Sequence, residues 1–229
     1  MRTNAFINSV IEWDIINWFC CLDFWEKEIE FTKSRKTCLE IGTRSGGLSL
    51  WMALKGCDVI CSDLYKPRLN TYALHDKYGV SNNIKYEIID VTNIAYSNYF
   101  DIIIFKSVLG AVGKGNNKDL QMKAISEIYK ALKPGGALLF AENCTGSALH
   151  HFMRKKFITW GQYWRYISVE ELKGFLAQFS SYKYITVGFL GCFGRNEKQR
   201  MLLGKMDKIL FNRVVPESWK YIIIGVALK

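Results

Sequence analysis

The stretch TCLEIGTRSGGLSLWMALKGCDVICSDLY, residues 37–65, decides the fold. A short apolar run, TCLEI, ends in a glycine-rich turn at Gly42, Gly46 and Gly47. The chain restarts with helical character and returns to an apolar run, CDVICS, that stops at Asp63. A buried strand, a tight turn, a helix and a second buried strand form the opening unit of a parallel sheet. In such a unit the turn lets backbone approach a ligand, and an acid about twenty residues further on suits ribose hydroxyls.

The same alternation continues in both directions. Apolar runs at 84–89 (IKYEII), 100–105 (FDIIIF) and 136–141 (GALLFA) predict further strands, separated by helices over roughly 46–55, 66–79 and 118–132. The last helix should stop at KPGG, where Pro134 and two glycines cannot continue it. Residues 182–190 and 219–229 are the closing strands, and the basic segment between them is too long for a hairpin turn, so it is expected to be a helical insertion. Residues 5–30 carry Trp13, Trp18, Phe19, Phe24 and Trp25 on one or two aromatic helices. The expected architecture is α/β, a three-layer sandwich around a mostly parallel seven-stranded sheet.

The chain has 229 residues, of which 49% are hydrophobic. That suffices for one substantial core and one domain, divided into an N-terminal helical cap (1–34), a central α/β core (35–145) and a closing part (146–229). No apolar run approaches the roughly 20 residues that span a bilayer. Glu12 and Asp14 interrupt the N-terminus where a secretory signal would be apolar, so a cytosolic location is expected. The seven cysteines include no C-x-x-C pair and several fall within apolar runs, the pattern of buried reduced thiols. With three histidines in the chain, no set of residues has metal-ligand spacing, and no metal is expected.

The net charge of +10 is uneven. Residues 147–229 carry 14 Lys/Arg against 5 Asp/Glu, while residues 1–146 are nearly balanced, with 17 against 16. Either a solvated basic face or an anionic partner such as a phosphorylated metabolite, nucleic acid or lipid headgroup accounts for that excess.

LEIGTRSGG resembles the first motif of the class I S-adenosylmethionine-dependent methyltransferases, E/D-x-G-x-G-x-G, with Glu40, Gly42 and Gly46 in place and Arg44 at the middle glycine. The resemblance extends over roughly residues 35–145, through Asp63 of VICSDLY, Asp90 of IIDVTNI, FDIIIFKSVLGAVG, and ISEIYKALKPGGALLFAEN. It implies a Rossmann-like fold that binds S-adenosylmethionine and releases S-adenosylhomocysteine. Glu40, Gly42, Thr43, Arg44 and Gly46 would form the turn against the cofactor, Asp63 and Leu64 would hold the ribose, Asp90 and Val91 the adenine, and Lys106 would follow the fourth strand. Arg44 could bind the cofactor carboxylate or an anionic substrate, or point outward.

Methyl transfer rests on orientation and water exclusion, and a base is optional. Residues after the fourth and fifth strands, Lys106, Ser107, Glu142 and Asn143, are candidates to act on the acceptor, as are His150 and His151 just beyond. No D/N-P-P-Y/F follows the fourth strand and no Pro-Cys pair occurs, which argues against base amino and pyrimidine carbon methylation. Residues 149–168 interleave aromatic and basic residues and could be the acceptor lid, the substrate-side part of 146–229. Arg154, Lys155, Lys156 and Arg165 could attract an anion, while more than half of Phe152, Phe157, Trp160 and Trp164 are expected in the core. Trp13 or Trp18 could close over the cofactor through a cation-π contact. The resulting expectation is methylation of an oxygen or nitrogen of a small anionic metabolite, such as a sugar or nucleotide-sugar. An RNA methyltransferase and a non-catalytic binding protein that keeps the fold remain as alternatives.

Overall fold

The computed structural model describes residues 3–31, 33–157 and 163–229, except for the side chain of Lys155. Seven strands form one sheet: β1 (Thr37–Ile41), β2 (Asp58–Asp63), β3 (Ile84–Ile88), β4 (Phe100–Lys106), β5 (Leu132–Asn143), β6 (Ser181–Val187) and β7 (Ile222–Leu228). Their order is β3-β2-β1-β4-β5-β7-β6. β7 runs antiparallel to both neighbours, and the remaining pairs are parallel. The central strands are mostly apolar because both faces are covered, as in β4 with Phe100, Ile102, Ile103, Ile104 and Phe105 all buried. The edge strand β3 alternates instead.

Successive residues of each strand feed two different cores. Cys38, Val59, Ile102, Ile104 and Leu139 pack with α1 (Asn4–Ile11), α2 (Ile15–Trp18), α3 (Cys20–Glu28) and α4 (Gly47–Leu54). Leu39, Ile60, Ile103, Phe105 and Leu138 form the opposite core. Beyond α5 (Leu69–Lys77) come α6 (Leu109–Val112) and α7 (Lys118–Ala131), which together with α9 (Val169–Phe175) cover that second face; α8 (Ala148–Phe157) precedes α9. In α7, Asn117 caps the first turn by accepting from the Leu120 N–H, and Ala124, Ile125, Ile128 and Ala131 supply the buried stripe. The helix ends at Ala131, and residues from Leu132, including Pro134, belong to β5.

The expected insertion before the last strand is α10 (Glu197–Met206), which continues through one π-helical stretch, Asp207–Phe211, to Val214. The π stretch has a visible cause. Asp207 is fully buried and accepts the Leu190 and Gly191 N–H groups at 2.8 Å each, which pins the helix at that point. The aromatic N-terminus forms α1–α3, with Trp18 and Trp25 buried under the sheet. No single helix among the described residues is long and apolar enough to cross a membrane. The bent pair Asn4–Ile11 and Ile15–Glu28 passes by composition, but it turns by 86° and its apolar residues join the core.

Candidate functional site

The strand order reverses between β1 and β4, and the loops at the carboxyl ends of these strands leave a crevice. On one side, Glu40 organises the glycine turn. Its buried carboxylate accepts the Ser49 N–H and the Thr43 hydroxyl, both at 2.9 Å, and the Ser49 hydroxyl, which ties the end of β1 to the first turn of α4. Burial raises its pKa to about 7, against the pull of the Ser49 and Thr43 hydrogen bonds. Gly42 has φ +70°, and a Cβ there would lie 2.7 Å from Val108. Gly46, at φ +81°, would strike His75 at 2.6 Å. His75 is a residue that motif reasoning passed over. Its Nε2 lies 2.8 Å from the Gly46 carbonyl and must donate to it, so Nδ1 accepts the Tyr86 hydroxyl, also at 2.8 Å.

Two pockets meet at this turn and share Gly42 and Ser107. The first, about 430 Å³, lies over the ends of β2 and β3 and is lined by Asp63, Leu64, Tyr65, Asp90 and Val91. Asp63 accepts the Arg44 N–H at 3.1 Å with one oxygen and the Leu64 N–H at 2.8 Å with the other. One Asp90 oxygen accepts the Thr92 N–H and hydroxyl, both at 2.8 Å. Each carboxylate keeps acceptor capacity toward the pocket.

The second pocket, about 460 Å³, is lined by Glu12, Trp13, Arg44, Lys106, Asn143 and Arg200 among others. Its roof is the turn between α1 and α2, where Glu12 and Asp14 both take left-handed backbone, at φ 71° and 45°. Trp13 lies between two cations, with Arg44 at 4.5 Å from the ring centroid and the Lys106 ammonium at 3.1 Å. Glu12 pairs with Arg44 Nε at 3.0 Å, and Lys106 Nζ donates to the Ile11 carbonyl at 2.9 Å. Burial draws the Lys106 pKa down to about 7, with Glu12 opposing, and burial raises that of Glu12 against the charges of Lys106 and Arg44. Arg44 itself takes a positive φ of 49°, a conformation that favours glycine.

The histidines and Glu142 do not join these pockets. His150 is buried, with Nδ1 against the Ser147 hydroxyl at 2.8 Å and Nε2 at 2.8 Å from the Phe189 carbonyl. With its ring stacked on Phe193 and its pKa drawn by burial to about 4, it holds α8 in place. His151 is exposed and lines neither pocket. Glu142 is buried beneath the loop after β4. It accepts the Val108, Leu109 and Asn143 N–H groups at 2.8, 2.7 and 2.8 Å, and burial raises its pKa to about 7. It shapes the loop that carries Ser107, whose hydroxyl accepts from Asn143 at 2.6 Å.

The 149–168 segment also departs from expectation. Arg154 donates to the Cys144 and Thr145 carbonyls, and Arg165 is held by Gln121 and Glu171, so the fold itself consumes both guanidiniums. Phe152 and Phe157 are exposed rather than in the core, Trp164 lines the second pocket, and Trp160 lies outside the described residues. Among the described residues, the cation that reaches the pocket from the C-terminal part is Arg200 on α10, which carries no motif by which sequence could single it out. Among the described residues no group of three or more His, Cys, Asp or Glu could hold a metal ion.

No curated protein matches the chain. Solved structures do. Haemonchus contortus phosphoethanolamine N-methyltransferase 2, in complex with S-adenosyl-L-methionine, superposes with a TM-score of 0.66 at 19% identity, over 93% of this chain and 52% of that one. This chain thus spans about half the length of that enzyme. The N-methyltransferase NodS of Bradyrhizobium japonicum, in complex with S-adenosyl-L-homocysteine, gives 0.56 at 16% identity over 87% and 81%. The [4+2]-cyclase SpnF gives 0.59 at 16% identity over 91% and 79%. Identities this low establish the fold. The methyltransferase domain family, however, matches residues 21–182, well over half of the chain. On that match, and with the ordered strand-end motifs in place, the chain belongs to the class I S-adenosylmethionine-dependent methyltransferases.

Proposed function

We propose that this protein transfers a methyl group to an oxygen or nitrogen of a small anionic acceptor, with the nucleoside of the cofactor in the first pocket, its amino-acid end crossing the glycine turn to Glu12 and Arg44, and the acceptor in the rest of the second pocket. The observation that carries this reading is the meeting of the two pockets at Gly42 and Ser107, with acids at the outer end of one and cations around the other. The donor set suits the cofactor. Asp63 would take the ribose hydroxyls, Asp90 and Val91 the adenine edge, and the Glu12–Arg44 pair would separate to receive the ammonium and carboxylate of the amino-acid end. When bound, S-adenosylmethionine supplies an electrophilic methyl group on a sulfonium.

The chain's own groups do the rest. Trp13 and the turn that bears it exclude water from above. Lys106, held near neutrality by burial, accepts the proton of the attacking hydroxyl or amine at Nζ. Arg200, whose Nε donates to the Gly194 carbonyl at 3.1 Å and which pairs loosely with Glu197 at 3.7 Å, keeps donors at the pocket wall that would draw the acceptor's phosphate or carboxylate, which makes sugar phosphates and nucleotide-sugars the first class to screen. Since Arg154 and Arg165 are engaged within the fold, the basic aromatic segment offers little support for RNA. Seven free cysteines, five of them buried, suit the reducing cytosol.

Calorimetric titration with S-adenosylhomocysteine tests the reading. Saturable binding is expected for the native protein, with no comparable binding of NAD. Asp63→Ala should weaken it by about 1.5–3 kcal/mol, the worth of a hydrogen bond to a charged group. Absence of binding by the native protein at high micromolar concentrations would move the non-catalytic alternative to the front.

A further inference from the structure

The helix from Glu197 to Val214 has two faces of very different character. Inward, Gly204 packs so closely on Ile16 that a Cβ would lie 2.8 Å from the isoleucine, Asp207 caps the 190–191 turn, and Arg200 reaches the second pocket. Outward, six apolar side chains stand in solvent: Met201, Leu202, Met206, Ile209, Leu210 and Val214, with Leu202 64% and Ile209 70% exposed. The charged residues exposed among them, Lys198, Lys205, Lys208 and Arg213, are all positive. The helix's two acids are otherwise engaged. Glu197 accepts the Asp14 and Ile15 N–H groups, and Asp207 is buried. Just past the helix, beyond one exposed acid at Glu217, half-exposed Trp219 stacks on Phe189, which stacks in turn on Phe211.

We propose that this face docks on an anionic lipid bilayer, with the helix lying in the plane of the interface. Exposed aliphatic side chains interleaved with lysines, and no exposed acid between them, are what a negatively charged surface with an apolar interior recognises. Tryptophan at the edge suits the headgroup layer. A single-stranded nucleic acid would call for a row of exposed aromatics to stack on successive bases, yet Phe211 is packed against Phe189 and the half-exposed Trp219 stacks on that same Phe189, while the helix presents aliphatic side chains that stack on nothing. An acidic protein that wraps a basic helix would need it free on all sides, whereas this one is pinned by Gly204 and Asp207. A broad, flat partner fits both constraints.

Vesicle flotation of the whole protein tests the proposal without cofactor or acceptor, so its outcome is independent of the methyl-transfer reading. The protein should float with vesicles that are one part phosphatidylserine to two parts phosphatidylcholine, remain behind with phosphatidylcholine alone, and detach as salt rises. Lys205→Glu with Lys208→Glu should weaken binding by on the order of tenfold or more, since each basic residue near such a surface contributes about fivefold. Leu202→Glu with Ile209→Glu should abolish flotation. All four positions are exposed, so unchanged melting curves would confirm intact folds. No flotation with anionic vesicles at low salt would overturn the proposal. So would flotation that survives the Leu202/Ile209 variant, or salt-sensitive binding to single-stranded RNA in a protein that ignores vesicles.

Discussion

Arg44 stands where a side chain is costly. A non-glycine residue at φ 49° gives up on the order of 1–2 kcal/mol. Its ion pair to Glu12 and its contact with Trp13 return a comparable amount, as an exposed pair and a cation-π contact each contribute about 0.5–1 kcal/mol. Arg44→Gly should therefore melt within about 1 kcal/mol of the native protein by thermal denaturation. Its affinity for S-adenosylhomocysteine should fall by roughly tenfold, the loss of about one charge-assisted hydrogen bond. Binding of 5′-methylthioadenosine, which lacks the amino-acid end, should not change. Equal losses for both ligands would remove Arg44 from that end of the site. Asp63 and Asp90 could be located in the sequence because strand ends and acids are local features. Glu12 could not, because its role depends on a left-handed turn that brings α1 over a loop thirty residues away. His150, Arg154 and Arg165 misled for a related reason: only the folded chain shows which carbonyls and carboxylates engage their donors.

The strands were legible as elements because a parallel sheet buried on both faces writes itself as nearly continuous apolar runs, and β1 and β4 begin at the residues their runs mark. Less legible was the joint between the N-terminal helices and α10, which is made by polar groups distant in sequence. Glu197 accepts the Asp14 and Ile15 N–H groups at 3.0 Å each, in effect capping α2 from another element. Beneath it, the Asn17 amide faces Asp14, Asp207 and the Tyr221 hydroxyl at 3.2, 3.0 and 2.9 Å, and Tyr221 donates to Asp14. Burial raises the Asp14 pKa to about 7. Removing the cap with Glu197→Ala should cost about 1–2 kcal/mol in thermal unfolding. Amide exchange should then quicken at residues 14–18 while β1 and β4 stay protected. Uniform acceleration across the sheet would mean that the joint belongs to the global core rather than to a separable roof.

For the molecule as a whole, the arrangement of buried charge predicts how activity and stability vary together with pH. Lys106 has an ordinary value of 10.5 in the unfolded chain and about 7 when folded. Between those values the unfolded chain holds a proton that the native protein does not, so the lysine makes stability rise as pH rises from about 7. Glu40 and Glu142 have the opposite sign over a lower window. Raised from 4.5 to about 7, they favour the native state as pH falls through that range. His150, lowered from 6.5 to about 4, works against them there. Only Lys106 acts above neutrality among these four, so Lys106→Met isolates it. The stability difference between native protein and variant, followed by chemical denaturation from pH 7 to 10, should shift progressively in favour of the native lysine. If the same amine accepts the acceptor's proton, kcat/KM of the native enzyme should climb through the same midpoint near pH 7, and the residual activity of the variant should not. A stability effect without the matching rise in rate would leave Lys106 as a support for Trp13 and assign no base to the reaction. A rate profile that turns near pH 7 in both proteins would shift the titrating group to the acceptor itself.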